Sequence, residues 1–322
     1  MQAIRIHEHG GPEVMRLEEL PTPEVTAGQV LVRVEAAGVN YIDTYQRSGQ
    51  YKVQLPCTLG MEGAGTIEWI GAGVEGLSAG MRVAWTNVPG AYATHALVPA
   101  DKVVEVPTRL SAREGAAAML QGLTAHYLAR STYPLQRGDS CLVHAGAGGV
   151  GLLLTQVAKA AGARVFTTVS TPEKAALSRE AGAEEVVLYT RDDFLPVVKK
   201  LTDGRGVNVV YDSVGRDTFE RSLKCLAPRG MLVLFGQSSG AVPPLDPQML
   251  AAGGSLFLTR PTLGHYMLTR AELLRRAGEV FGWIESGRLE LRIGATFPLA
   301  DAARAHQDLE ARRTTGKVLL LP

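Results

Sequence analysis

The stretch from Gly138 to Lys174 constrains this chain more than any other. Cys141 to Ala145 is a short apolar run suited to a buried parallel strand, and it stops at glycine. Gly146, Gly148 and Gly151 follow at G-x-G-x-x-G spacing. In such a turn the first glycine permits a tight bend, the second admits a pyrophosphate to the backbone, and the third lets helix pack on strand. A helix from about Gly149 to Ala161 presents unpaired N–H groups and the positive end of its dipole to that pyrophosphate, with Gly162 as its stop. Arg164 to Val169 reads as the next strand. Glycine-rich loops also serve as plain turns, but the flanking strand and helix favour dinucleotide binding.

The tip of the second strand distinguishes the cofactor. An NAD site places Asp or Glu about 20 residues beyond the glycines, on the ribose 2′-hydroxyl. Here the tip is Thr167, Thr168, Val169, Ser170 and Thr171, with Pro172, Glu173 and Lys174 beginning the next helix. A 2′-phosphate wants a cation and hydroxyl donors. One charge-assisted hydrogen bond is worth roughly 1.5–3 kcal/mol, about ten- to a hundredfold in affinity. NADPH is therefore expected over NADH, with Glu173 complementing the helix dipole.

At 322 residues the chain exceeds one ordinary core, so two domains are expected. The net charge of +1, with acids and bases interspersed, indicates no nucleic-acid or anionic-membrane surface. No apolar run is long enough to span a bilayer, and MQAIRIHEHGG lacks the apolar core of a signal peptide. Cys57, Cys141 and Cys225 are too widely separated for a disulfide framework, so a reducing, cytoplasmic setting is expected.

Residues 1–120 read as β-rich. Gln2–His7, Gln29–Ala36, Gly63–Ile70, Arg82–Trp85, Ala91–Val98 and Lys102–Val106 are strand candidates between turn signals, which suggests a small barrel or sandwich. Residues 37–56 between them read as a loop or short helix, gathering Asn40, Tyr41, Asp43, Tyr45 and Tyr51. Such a loop could pack locally or wall an active site. The helix around Glu114–Arg130 carries Thr124 and Tyr127 one turn apart on one face.

Beyond Lys174 strands and helices alternate: Glu185–Tyr189, Asp192–Leu201, Val207–Tyr211, Thr218–Leu226, Met231–Phe235 and Ser255–Thr259. Repeated βα units predict an α/β fold with a doubly wound parallel sheet, and ligands beyond the carboxyl ends of its strands. That rule selects Ser170, Tyr189, Val214, Phe235, Gly236 and Ser238, with Ala145, Thr168, Asp212 and Ser213 beside them. A helix over Thr269–Glu285, a strand over Leu289–Phe297, a helix over Leu299–Ala311 and a last apolar run at Val318–Leu321 should return to the first domain. There is no CxxC pair, no HExxH, no G-x-S-x-G elbow and no Walker lysine. A nicotinamide cofactor needs none of these.

Several segments together resemble one family. GDSCLVHAGAGGVGLLLTQ (138–156), HEHGGPEV (7–14), GVNYIDTYQRSGQY (38–51), VVYDSVGRDTFERSL (209–223) and LFGQSSG (234–240) are similar to the quinone oxidoreductases, zeta-crystallins included. These are zinc-free members of the medium-chain dehydrogenase/reductase superfamily. The resemblance implies a GroES-like catalytic domain (1–122, completed by 263–322), a Rossmann NADP-binding domain (123–262), a cleft between them, and a homodimer. Zinc-containing relatives have cysteine at the position of Asn40 and a histidine–glutamate pair at Met61–Glu62, so no metal is expected.

By matching motif, Asn40, Tyr45 and Tyr51 would line the nicotinamide and substrate cleft. Tyr127, Gly149 and Val150, with Thr124, Gly146, Gly148 and Gly151, would hold nicotinamide ribose and pyrophosphate. Ser170, Lys174 and Tyr189 would hold the 2′-phosphate end, and Val214, Phe235, Gly236, Ser238 and Arg312 would complete the pocket. Three functions follow as alternatives. The first is NADPH-dependent reduction of quinones without metal or flavin, with Asn40 hydrogen-bonding a substrate carbonyl or the cofactor amide. The second is reduction of the double bond of an α,β-unsaturated carbonyl. The third is a non-catalytic nucleotide-binding, structural or RNA-associated role, against which the near-neutral charge argues.

Overall fold

The structure, a computed structural model, describes residues 1–322. It divides into two compact units, Met1–Leu123 with Met267–Pro322, and Thr124–Tyr266.

In unit 1 the strands are β1 (Gln2–Ile6), β2 (Arg16–Glu19), β3 (Gln29–Val39), β4 (Cys57–Thr58), β5 (Glu62–Ile70), β6 (Arg82–Thr86), β7 (His95–Pro99) and β8 (Val104–Glu105). Between β3 and β4 lies the helix α1 (Tyr41–Arg47), and α2 (Ala112–Tyr127) follows β8. The second unit holds β9 (Ser140–His144), α3 (Gly149–Ala160), β10 (Arg164–Val169), α4 (Pro172–Glu180), β11 (Glu185–Leu188) and α5 (Phe194–Leu201). It continues through β12 (Val207–Asp212), α6 (Phe219–Cys225), β13 (Leu226–Leu234), α7 (Gln248–Ala252) and β14 (Phe257–Thr259). The chain then re-enters unit 1 with α8 (Arg270–Glu285), β15 (Ile293–Pro298), α9 (Ala302–Glu310) and β16 (Lys317–Leu321).

Unit 1 has a three-stranded sheet, β2-β1-β4, and a seven-stranded sheet, β15-β16-β3-β5-β6-β8 with β7 also on β3. Its core packs Ile4, Val32, Ile67, Trp85 and Tyr92 with Leu299 and Val318 from the tail. The strand β3 runs three residues past the expected Ala36, because Ala37, Gly38 and Val39 pair with Leu320, Leu319 and Val318 of β16. That partner lies far along the chain, which is why the local pattern around Gly38 reads as loop. The same register brings Lys317 to the level of Asn40. On the other side of β3, Ala37 pairs with Gly63, which brings Glu62 there too.

Unit 2 is a single parallel sheet in the order β11-β10-β9-β12-β13-β14. Strand order reverses at β9, between β10 and β12, and the rule for open α/β sheets puts a ligand beyond the carboxyl ends at that point. Helix α2 is shorter than the sequence suggests, ending at Tyr127 in a turn of π-helix over Leu128–Thr132. Tyr211 Oη on β12 shares its one hydrogen between the Leu128 and Tyr133 carbonyls at 3.3 and 3.4 Å, and the Leu128 carbonyl also accepts from the Tyr133 N–H at 3.1 Å.

Candidate active site

At the carboxyl end of β9 the chain turns sharply into α3. The left-handed residue of this turn is Ala145 (φ 54°), not Gly146, so the bend itself is not what requires the first glycine. Gly146 lies against β10 and α4: a Cβ there would come within 2.6 Å of Thr167 Cβ and 2.8 Å of Ser178 Oγ. Gly151 has even less room, since its Cβ would sit 2.2 Å from the Ala145 carbonyl oxygen. Around Gly148 the space is open, with only that carbonyl oxygen at 3.2 Å. Gly148 is also the N-cap residue of α3 and supplies no side-chain cap. The first-turn N–H groups of Gly149, Val150 and Gly151 thus have no side-chain partner from the cap, which suits an anionic diphosphate.

The tip of β10 continues through Ser170 to Thr171, which caps α4 by accepting from the Lys174 N–H at 3.3 Å. Tyr189 donates its N–H to the Val169 carbonyl at 3.1 Å and keeps its ring partly exposed, while Thr190 Oγ1 donates to the Ser170 carbonyl at 3.0 Å. Ser170, half-buried Lys174 and Tyr189 therefore share one corner of unit 2. Glu173 is fully exposed, and its carboxyl is held below the ordinary range by its own backbone N–H and then by the Thr171 hydroxyl. It acts as a cap on the helix start.

Across the switch point, the segments after β12 and β13 are tied together. The N–H groups of Phe235 and Gly236 donate to the Asp212 carbonyl at 2.8 and 3.3 Å, and that of Ser238 donates to the Ser213 carbonyl at 3.1 Å. Gly236 has no room for a side chain, because a Cβ would lie 2.6 Å from the Ser213 carbonyl oxygen. Val214 N–H donates to Asp212 Oδ1 at 2.8 Å. Tyr127 is buried, its ring stacked on Tyr266 with centroids 4.3 Å apart, and Thr124 is buried one turn before it. Arg312 belongs to unit 1, exposed just past α9 in a left-handed conformation (φ 59°).

Beneath the glycine turn lies a buried network that the strand-like reading of 141–145 passed over. Asp212 Oδ2 accepts from Thr218 Oγ1 at 2.7 Å and from Ser222 Oγ at 2.9 Å. With its hydrogen so committed, Ser222 must accept from His144 Nε2 at 2.9 Å. Burial pushes His144 below the ordinary imidazole value, against the pull of Asp212. A neutral ring with its hydrogen on Nε2 must accept at Nδ1, so Thr168 Oγ1 donates there at 2.9 Å. The network joins the ends of β9, β10 and β12 to α6.

In unit 1, α1 begins at Asn40, whose N–H donates to Asp43 Oδ2 at 2.8 Å. The Asn40 amide faces elsewhere. Its Nδ2 donates to Glu62 Oε2 at 2.9 Å and to the Gly38 carbonyl at 3.3 Å, and its Oδ1 accepts from Lys317 Nζ at 3.0 Å and Gln121 Nε2 at 3.4 Å. A lysine cannot accept and a carboxylate cannot donate, so this orientation is the only consistent one. Lys317 and Glu62, both buried, form an ion pair, and Glu62 also accepts from the Leu120 N–H. The pair fits across β3 because Gly38 has no Cβ; one would lie 2.1 Å from Glu62 Oε2. Both amide hydrogens of Asn40 are thus spent within the protein, and it has none left for a substrate carbonyl or cofactor amide.

Tyr45 is buried and Tyr51 is 36% exposed; their rings meet edge to face with centroids 5.2 Å apart. On the opposite face of α1, Asp43 Oδ1 accepts from the Met61 N–H at 3.1 Å, and Oδ2 also accepts from Tyr92 Oη at 2.9 Å. Burial pushes the Asp43 carboxyl up to about 7 against the pull of these hydrogen bonds. Lys317, Gln121, Tyr92, His306 and His144 were invisible as site residues, and Glu62 stood out only as part of the position of a histidine–glutamate pair in zinc-containing relatives. The available signal was a charged or imidazole residue inside an apolar run, as in KVLLL and CLVH.

No group of three or more His, Cys, Asp or Glu side chains is arranged to hold a metal ion, and Glu62 is paired with the Lys317 ammonium.

A GroES-like β-rich unit combined with a Rossmann sheet defines the medium-chain dehydrogenase/reductase class. Residues 26–108 match the model of the alcohol dehydrogenase GroES-like domain, and residues 149–275 match that of the zinc-binding dehydrogenases. The chain is 47% identical to a quinone oxidoreductase of Pseudomonas aeruginosa over 99% of both chains. It is 41% identical to a 2-haloacrylate reductase of a Burkholderia species over 100% of this chain and 99% of that one. The crystal structure of Escherichia coli quinone oxidoreductase complexed with NADPH superimposes with a TM-score of 0.98 at 44% identity, covering all of both chains. This chain belongs to the quinone oxidoreductase family of that superfamily.

Proposed function

We propose that this chain catalyses NADPH-dependent reduction of quinones, with unit 2 as the NADP-binding domain and unit 1 as the catalytic one. The glycine turn into α3 carries this reading, because it offers uncapped N–H groups and open space at Gly148 where a diphosphate is expected. NADPH, when bound, supplies the reducing equivalent from C4 of its nicotinamide. Gly146 and Gly151 bring helix and strands close, Gly149 and Val150 offer N–H groups, and Ser170, Lys174 and Tyr189 take the 2′-phosphate end. Phe235, Gly236, Ser238 and Val214 form the second wall, while Thr124 and Tyr127 back the ribose. Tyr45 and Tyr51 shape a flat slot for the quinone ring. Asn40 serves by locking Glu62 and Lys317 in place.

A second reading, reduction of the double bond of α,β-unsaturated carbonyls, has support from the 2-haloacrylate reductase relative. Initial rates of NADPH oxidation with 1,4-benzoquinone and with an enal at equal concentrations separate the two. Faster turnover of the quinone is expected; faster turnover of the enal hands the site to the second reading. We further propose a cytoplasmic homodimer. The strand β14 ends its sheet with an unpaired edge and exposes Phe257, a surface that a second copy would cover. Light scattering on the purified chain measures the mass, and a monomer at micromolar concentration removes the dimer.

A further inference from the structure

The buried polar face of α1 continues past Asp43 into a longer chain of hydrogen bonds. Tyr92 Oη lies 3.1 Å from His306 Nε2, and His306 Nδ1 lies 3.1 Å from Arg47 Nη1. Arg47 in turn meets Glu310 through two hydrogen bonds, at 3.1 and 2.7 Å, and gives its Nε hydrogen to the Gly10 carbonyl at 3.2 Å. Asp43 and Arg47 sit one turn apart on α1, as His306 and Glu310 do on α9. Tyr92 bridges the two pairs. Its ring lies against Gly60, which is left-handed (φ 94°) and whose Cβ would come within 2.3 Å of Tyr92 Cδ1. Asp43, Arg47, Tyr92 and His306 are all buried.

Every hydrogen in this chain has a determined direction. Arg47 has only donors, so His306 Nδ1 must accept from it. Burial and the neighbouring guanidinium keep His306 neutral, pushing it down to about 3, and its single hydrogen therefore sits on Nε2. Nε2 donates to Tyr92 Oη, and the Tyr92 hydrogen goes to Asp43. Above its raised value of about 7 Asp43 is a carboxylate, and it receives three donors, from Tyr92, Asn40 and Met61. The order is Arg47 to His306 to Tyr92 to Asp43, and it cannot be reversed. Since an arginine does not release its proton at physiological pH, the chain holds a shape and does not conduct protons.

We infer that His306 is a positioning residue for the substrate slot, acting through Tyr92 and Asp43 on α1. At seven residues α1 is too short to persist without tertiary support. It carries Tyr45, which accepts from the Tyr51 N–H at 2.9 Å, and it begins at Asn40. The polarised chain fixes both ends of this helix from its buried face. The inference rests on the reading of Tyr45 and Tyr51 as substrate-facing, while the placement of α1 can be measured apart from any activity.

Two substitutions at one position test it. In His306→Gln the side-chain oxygen can accept from Arg47 and the nitrogen can donate to Tyr92, so the direction is kept. In His306→Leu neither is possible. At pH 8, hydrogen–deuterium exchange of amides 41–48 is expected to quicken about tenfold or more in the leucine variant and to stay near wild type in the glutamine variant. In the same proteins the quinone KM should rise about tenfold with leucine and not with glutamine, while NADPH affinity stays within about twofold. Equal damage by leucine and glutamine, or unchanged exchange with leucine, overturns the inference. Should the leucine variant not fold, Tyr92→Phe keeps the ring against Gly60 and removes Oη, and unchanged exchange over 41–48 there overturns it equally. A wild-type protein that turns over no quinone defeats the proposed function instead, and the exchange pattern still decides the role of His306.

Discussion

The polar interior of unit 1 and the nucleotide end of unit 2 are built from different materials. Unit 1 buries full charges: Glu62 against Lys317, and Asp43 linked through Tyr92 and His306 to Arg47. Unit 2 relies on backbone N–H groups, missing Cβ atoms and hydroxyls, with Asp212 and His144 tucked beneath the turn. A coenzyme brings its own charge, so its site needs fixed dipoles and space. An uncharged quinone brings little to bind by, and its slot must be held in shape by the protein. Buried ion pairs do that at a larger desolvation cost than hydroxyls and backbone groups incur.

The largest expected effect is at the turn itself. Gly151→Val places side-chain carbon on the Ala145 carbonyl and should weaken NADPH more than a hundredfold, as read by calorimetry. The hydrogen exchange of α1 in unit 1 should not change. If coenzyme affinity survives, the close helix–strand approach does not form the site. Next comes the charge pair. Lys317→Met strands Glu62 in the interior and should cost about 3–5 kcal/mol in urea unfolding. Adding Glu62→Gln to it should restore part of that loss, and a double variant no better than the single one would mean that the two residues are not coupled.

Smaller effects sharpen the contrast. Lys174→Glu should weaken NADPH about ten- to a hundredfold and leave NADH almost unchanged. Equal losses for both coenzymes would remove Lys174 from the phosphate end. The smallest signal lies in the pH dependence of stability, where two buried groups oppose each other. Asp43 is raised from 3.8 to about 7, so the folded state holds its proton more tightly and the stability it confers is lost as pH rises through that window. His306 is lowered from 6.5 to about 3, so its stabilising share is present above 6.5 and lost as pH falls toward 3. Between about pH 4 and 6.5 the two slopes offset each other. His306→Gln should therefore expose a stability that falls with rising pH, and Asp43→Asn one that rises. Identical slopes in both variants would contradict this pairing.

The same difference in materials decides what could be read before folding. The turn, its helix and the hydroxyl-rich tip of β10 lie within 138–174, and glycine spacing reports on backbone geometry directly. The alternating units after Lys174 were legible for the same reason, as was α8 with Thr269 as its cap. Asn40, by contrast, takes its role from Glu62, Gln121 and Lys317, which reach it only through the register of β16 on β3 and β3 on β5. Tyr92 and His306 meet across 214 residues. No local period marks such partners, so Asn40 read as a donor to substrate when both of its hydrogens were already spent.

That the turn after β9 takes a diphosphate, and that Lys174 chooses the phosphorylated coenzyme, is tested most directly by titrating the wild-type protein with NADPH and NADH in a calorimeter at one ionic strength. The structure predicts one tight site for NADPH, with NADH weaker by about ten- to a hundredfold. Equal affinity for the two, or no heat from either, would contradict it.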